Sequence, residues 1–150
     1  MRSNIWSKSL NLTLFNKEAN YSNNTMNVKG LHDLCNRILE SDRSIRFVGI
    51  SDKMGNQSVS IYRAGLTPLL TPAEIEMYGI QSVLRMSTRK DYGVKLGKLI
   101  YSFTLYQKIK RVTITLESEE YPILLASFDL DADHNVITNK ILPLISEIGL

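Results

Sequence analysis

The sequence predicts an α+β domain built as a three-layer α/β/α sandwich, with a five-stranded antiparallel sheet between helices. The hydrophobic pattern switches between a helical period and a two-residue period in the order αββαβββα. Three amphipathic helices cannot all pack on one side of such a sheet, so they are divided between its faces. The one long connection, which contains the second helix, is expected to carry the chain from one sheet edge to the other.

Length and composition are those of a single domain, with 150 residues of which 43% are hydrophobic. We assign residues 30–150 to this domain and expect the Asn-rich residues 1–29 to be a mobile tail. Alternatively, Leu10, Leu12 and Leu14 alternate as in a short strand or docking segment. Neither an apolar run of roughly 20 residues nor a secretion signal is present, which predicts a cytoplasmic protein without a membrane span.

The first helix follows Gly30, where apolar residues recur on one side of LHDLCNRILE. Cys35 lies within that apolar stripe, so we interpret it as a small buried hydrophobe and not as a nucleophile. SIRFVGI and QSVSIYRA alternate at period two around a turn at 52–56 that contains Gly55 and Asn56, both suited to positive φ. The first of these strands is expected inside the sheet and the second at an edge.

The second helix begins with a strong cap, since Thr71, Pro72 and Glu74 form a capping-box pattern. Its apolar stripe contains Ile75, Tyr78, Gly79, Ser82, Val83 and Met86, with Ile80 and Leu84 widening it. Small residues in a broad apolar surface indicate close approach of another helix. A helix buried in the core of its own domain would show the same spacing.

The rest of the chain predicts three strands and a last helix. Gly93 and Gly97 suit a helix end with left-handed residues, and LIYSFTLY and KIKRVTITLE read as strands joined tightly at Gln107. PILLASFDL is nearly all apolar and is expected to be a central strand. Pro143 should kink or divide the terminal helix, because it cannot donate a backbone hydrogen bond.

No catalytic, cofactor-binding or metal-ligating residue is predicted. The run GVKLGKL lacks the spacing and the Ser or Thr of a phosphate loop. Asp129, Asp131 and Asp133 resemble the start of a calcium loop, but His134 and Lys140 stand where it needs Gly and Glu. Capping of the last helix by Asp131 or Asp133 is the favoured interpretation.

A basic segment spans residues 85–111 and is interleaved with tyrosines. Its basic patch consists of Arg85, Arg89, Lys90, Lys95, Lys108, Lys110 and Arg111. Aromatic and basic residues in alternation are typical of single-stranded nucleic-acid binding, which makes this segment an alternative functional site. Basic strands also protect sheet edges from aggregation.

The element order resembles that of the roadblock family, which comprises dynein light-chain and GTPase-regulator scaffold relatives of profilin-like and longin-like folds. The phrases SIRFVGISDKMGN, YRAGLTPLLTPAE, RMSTRKDYGVKLGKLIYSFTLYQKIKR and SFDLDADHNVI are also similar to proteins of ammonia-oxidising archaea that share this expected fold. The resemblance covers about residues 30–148. It implies a homodimer interface formed by the central helix and the next strand, at Ile75, Tyr78, Gly79, Ser82, Met86, Lys98, Ile100 and Ser102.

The leading functional hypothesis is a non-enzymatic interaction module that forms a homodimer and binds a small GTPase or another signalling or cytoskeletal protein. Nucleic-acid binding through the basic segment is one alternative. A small-molecule sensor with a pocket near Tyr101, Phe103 and Phe128 is another. An enzyme is the least favoured class, because both histidines are isolated and no pair of carboxylates stands out.

Overall fold

The computed structural model describes residues 26–150 and confirms the predicted order of elements. One short helical turn, α3, is added after the central helix. The elements are α1 Val28–Ser41, β1 Ile45–Ser51, β2 Gln57–Tyr62, α2 Pro72–Lys90, α3 Gly93–Leu96, β3 Tyr101–Leu105, β4 Lys110–Thr115, β5 Ile123–Phe128, a π-helical segment Ile137–Ile141 and α4 Leu142–Glu147.

All five strands form one antiparallel sheet in the order β2-β1-β5-β4-β3. The predicted positions of β1 and β5 inside the sheet and of β2 at an edge are therefore confirmed. The connection through α2 runs from edge strand β2 to the opposite edge strand β3, as expected. Every residue of β5 is buried, which explains why its sequence is apolar on both faces.

Two apolar cores lie on opposite faces of the sheet, which confirms the sandwich. The larger core holds Leu31, Leu34 and Ile38 of α1 together with Ile141 and Ile145 of the C-terminal helix. The smaller core lies under α2 and contains Phe47, Met86, Ile123 and Leu125. The sheet therefore has two helical layers, with α2 alone on the second face among residues 26–150.

Local details differ from the sequence prediction at three places. Helix α1 begins at Val28 because the Asn27 side chain accepts a hydrogen bond from the Gly30 amide at 2.9 Å, so the ordered helix starts before the predicted boundary at 30. Gly97 has the expected positive φ of 86°, whereas Gly93 is the first residue of α3. Gly55 has the predicted positive φ, at 91°, but the same prediction for Asn56 is wrong, because no residue other than glycine within 26–150 has a positive φ.

The C-terminal helix changes its hydrogen-bond pattern at the proline. The π-helical segment passes directly into α4, where Pro143 occupies one of the first positions and needs no N–H partner. The predicted division at Pro143 is thus present as a change of helix type. The prediction of a mobile tail concerns residues that lie almost entirely outside the described range. No helix between residues 26 and 150 is long and apolar enough to cross a membrane.

Candidate functional site

Helix α2 is the element around which the candidate site is built, and its start is set by the predicted capping box. The Glu74 amide donates to the Thr71 hydroxyl at 3.3 Å, and the Thr71 amide donates to the Glu74 carboxylate at 2.8 Å. Two first-turn donors are thereby satisfied. The cap sets where the helix begins, and the packing of α2 on the sheet sets which residues face outward.

The small residues of the predicted stripe lie on the inner face of α2, the face that packs on the sheet. Gly79, Ser82 and Met86 are buried against the chain's own sheet and hairpin. A Cβ atom at Gly79 would lie 2.5 Å from the carbonyl oxygen of Gly55 and closer still to the Gln57 amide nitrogen. These three residues therefore lie on the side of α2 that faces the sheet. A binding partner could contact them only if the helix moved away from the sheet.

The other predicted interface residues are spread over the inner face and the sheet edge. Ile75 and Tyr78 are half-buried and pack toward the smaller core. Lys98 forms an ion pair with Glu117, and the Ser102 hydroxyl accepts a hydrogen bond from Arg89 at 2.6 Å. Ile100 is exposed beside them. Of the three residues predicted on the strand, only Ser102 lies in β3, while Lys98 and Ile100 lie in the segment that leads into it.

The outer face of α2 carries an apolar stripe that continues into the following segment. On the helix, Met77, Ile80 and Leu84 recur at three- and four-residue steps, and Leu84 is 62% exposed. In α3, Val94 is fully exposed at 100%. We refer to the exposed apolar residues of this segment as the outer apolar surface; they are Met77, Ile80, Leu84, Val94, Leu96 and Ile100. Exposed large apolar residues that are this frequent in one segment are typical of protein-binding surfaces.

Edge strand β3 adds a row of backbone groups that no residue between 26 and 150 pairs with. The Ile100 carbonyl accepts from the Thr115 amide at 3.0 Å, and the Tyr106 amide donates to the Ile109 carbonyl at 2.9 Å. Because these backbone groups alternate along an antiparallel pair, those of Tyr101, Phe103 and Leu105 are directed away from β4. An open edge of this kind accepts another strand.

The basic segment does not form one surface. Lys110 and Arg111 are neighbours on β4 and point to opposite faces of the sheet. The Lys110 ammonium donates to the Ala132 carbonyl at 2.6 Å on the side of the larger core. Arg111 is only 6% exposed and lies under α2. The sheet therefore separates Lys110 from Arg111, and Arg111 is not part of an exposed basic surface.

Arg111 occupies an unusual position inside the smaller core. Its guanidinium carbon lies 3.7 Å from the centroid of the Tyr78 ring, and that of Arg85 lies 5.4 Å from the same ring. The Arg111 Nε has no hydrogen-bond partner, and no ion pair within residues 26–150 includes Arg111. Burial lowers the pKa of Arg111, while the nearby tyrosines act in the opposite sense.

The acidic residues of the calcium-like run have structural partners. Asp129 pairs with Arg63 at 2.7 Å and with Arg46 at 3.0 Å, and the hydrogen bond from Arg63 is the main reason that its pKa lies below the usual range. Asp133 accepts a hydrogen bond from the Asn135 amide at 2.9 Å, which confirms its predicted capping role. Residues 26–150 contain no group of three or more possible metal ligands.

The structure also bears on the predictions for Cys35 and for a pocket near Phe103 and Phe128. Cys35 is completely buried in the larger core, and burial raises the pKa of its thiol to about 12, which confirms a packing role. The cavity beside Phe103 and Phe128 has a volume of only about 10 Å³, room for about one water molecule. A ligand pocket for a sensor is not present at that place.

The fold is shared with solved structures of roadblock proteins. MglB of Myxococcus xanthus superposes with a TM-score of 0.63 at 13% identity, covering 81% of this chain and 86% of that one. The Roadblock/LC7 domain of Streptomyces avermitilis gives a TM-score of 0.61 at 12% identity, covering 78% and 92%. An MglB structure with a tetrameric arrangement gives 0.58 at 11% identity, covering 77% and 88%. The chain therefore has a roadblock-like fold. No protein-family model and no curated protein sequence matches it.

Sequence reasoning missed the orientation of α2. Met77, Val94 and Leu96 lie outside the predicted interface, although Met77 begins a regular stripe with Ile80 and Leu84. Arg111 is a charged residue in a strand that is otherwise apolar. Charged side chains are rarely buried without a partner, so its position in the sequence also indicates an unusual environment.

Proposed function

We propose that this protein is a non-enzymatic interaction module that self-associates through the outer apolar surface and the open edge of β3. The observation that supports it most is the exposure of apolar residues along the chain that leads into the edge strand: Leu84 of α2, Val94 of α3 and Ile100 are all exposed, and Ile100 directly precedes β3. The occupant we propose is a second copy of the chain. Two β3 edges related by a two-fold axis can pair antiparallel, each satisfying the other's backbone groups.

The tetrameric arrangement described for MglB supports self-association of this fold. As the resemblance to the roadblock family implies, the assembled module is proposed to bind a further protein, with a small GTPase or a signalling protein as the candidate. Nucleic acid is not favoured, because Lys110 and Arg111 lie on opposite faces of the sheet and Arg111 is buried.

Size-exclusion chromatography with light scattering, at tens of micromolar protein, tests the self-association. We expect a dimer for the wild type and a monomer for Leu84→Glu, which places a charge in the middle of the apolar surface. Val28→Glu is the matched control: Val28 is 51% exposed at the start of α1, on the opposite side of the sheet, and should leave the dimer intact. A monomeric wild type would remove the proposal.

A second variant separates the strand edge from the helix surface. Leu105→Pro deletes an N–H that points away from β4, so the sheet of one subunit keeps its hydrogen bonds while edge pairing loses one. We expect weaker dimerisation with near-normal circular dichroism. A dimer unaffected by Leu105→Pro but lost in Leu84→Glu would restrict the interface to the helix.

Partner binding is tested by pull-down from the source cell with wild type and Leu84→Glu protein. A small GTPase retained by the wild type and lost with the variant is the expected result. The assignment of a small GTPase as the partner is wrong if the purified GTPases bind neither the wild-type protein nor Leu84→Glu.

A further inference from the structure

A small cavity lies between the first half of α2 and the sheet, at the place where Arg111 is buried. Its volume is about 30 Å³. The strand register places Tyr62 opposite Phe47, Phe47 opposite Ser127, and Ser127 opposite Arg111, so four strands contribute one row of side chains to its floor. The loop at 66–70 and Ile75 form its walls.

The cavity is electropositive. Arg46 and Arg111 both line it, and none of the described residues that line it is acidic. Arg46 is neutralised from the side by Asp129, but Arg111 has no acidic partner within the part of the chain described. A buried guanidinium ordinarily makes ion pairs and hydrogen bonds with most of its five N–H groups, because burying an unpaired charge costs free energy.

The contact with the Tyr78 ring compensates for only part of that cost. A π face attracts the cation along one direction, and it does not satisfy the in-plane N–H donors. Within residues 26–150 the Nε–H of Arg111 is fully enclosed and has no partner, so a ligand in the cavity would meet the terminal N–H groups of the guanidinium instead. Arg111, Arg46 and Ser127 all line this small space, and each carries groups that can donate hydrogen bonds to an anion.

We propose that this cavity binds a small oxyanion, a carboxylate or phosphate head group, held by Arg111 and Arg46 with Ser127 as an additional donor. Arginine pairs with these groups through two parallel hydrogen bonds. The volume admits a head group of a few atoms and excludes a nucleotide base. Leu69 is exposed at the rim, so the site is open to solvent. The cavity lies on the inner side of α2, and its test does not depend on self-association.

The test is NMR titration of the arginine Nε–H resonances of the full chain with inorganic phosphate, acetate and N-acetylglutamic acid amide, against sodium chloride at equal ionic strength. We expect a saturable shift of one resonance, which is absent from the spectrum of Arg111→Met. The thermal midpoint should rise by about 4 °C at ten times the dissociation constant. Tighter binding of acetate or phosphate indicates a free anion, and tighter binding of the blocked glutamate indicates a protein side chain.

Arg85→Met is the matched control, because Arg85 contacts the same Tyr78 ring without lining the cavity. It should keep the anion effect that Arg111→Met loses. If Arg111→Met does not fold, Arg111→Lys assigns the resonance while retaining the charge. Anions that act no more strongly than chloride on the wild type, or equally on Arg111→Met, would overturn the proposal and leave water as the occupant.

Discussion

The substitution Gly79→Ala tests the orientation of α2, on which the assignment of inner and outer faces depends. The added Cβ would lie 2.5 Å from the Gly55 carbonyl oxygen, and backbone in a tight turn cannot move away as a flexible side chain can. Overpacking of this kind costs up to about 3 kcal/mol. Replacing glycine by alanine inside a helix raises the free energy of unfolding by about 1 kcal/mol. The expected net loss of unfolding free energy is about 2 kcal/mol.

Gly93→Ala provides the matched control. Gly93 is helical with a negative φ, and nothing lies within 4 Å of its added Cβ, so the same chemical change should stabilise by about 0.5 kcal/mol. Urea unfolding followed by circular dichroism measures both variants. We expect the midpoint of Gly79→Ala to fall by about 1 M and that of Gly93→Ala to rise slightly.

Both variants are best compared in the Leu84→Glu background, so that self-association does not contribute to the midpoint. If Gly79 instead met a second copy, as its sequence pattern first indicated, alanine would leave the stability of the subunit unchanged and weaken the dimer. A Gly79→Ala protein as stable as its parent would refute the packing of α2 on the β1–β2 hairpin.

The remaining predictions concern two side chains on α1 and at its C-terminal end. Cys35 should react with a thiol reagent at least about 100-fold more slowly in the native protein than in denaturant, because the thiol is buried and its pKa is about 12; fast native labelling would contradict its placement. Asp42 accepts a hydrogen bond from Lys140 at 2.8 Å, the main reason that its pKa is lowered from 3.8 to about 2. The stability it contributes is therefore fully present above about pH 4 and is lost as the pH falls toward 2. Asp42→Asn should show a smaller loss of stability over that interval in acid unfolding curves, and an unchanged curve would show that the pair contributes nothing.

The sequence by itself determined the elements and much of their arrangement. Hydrophobic periodicity is a local property, so α1, the hairpin and the apolar β5 could be read directly from it. The Thr71 to Glu74 cap involves neighbours along the chain and was equally readable. The apolar faces of β1 and β5 indicated positions inside the sheet, and the order of elements predicted the crossing from one edge to the other. The equally apolar LIYSFTLY did not show that β3 lies at an edge.

Only the tertiary structure decided which side of α2 is free. Gly79 and Ile80 are consecutive, and apolar residues occur around much of the helix, so periodicity could not choose between two orientations. The choice depends on the burial of Gly79, Ser82 and Met86 against the sheet and the β1–β2 hairpin, which are different elements. The burial of Arg111 likewise requires that β4 lie inside the sheet and that Tyr78 cover it. Such contacts join residues distant in sequence, and a local pattern carries no information about them.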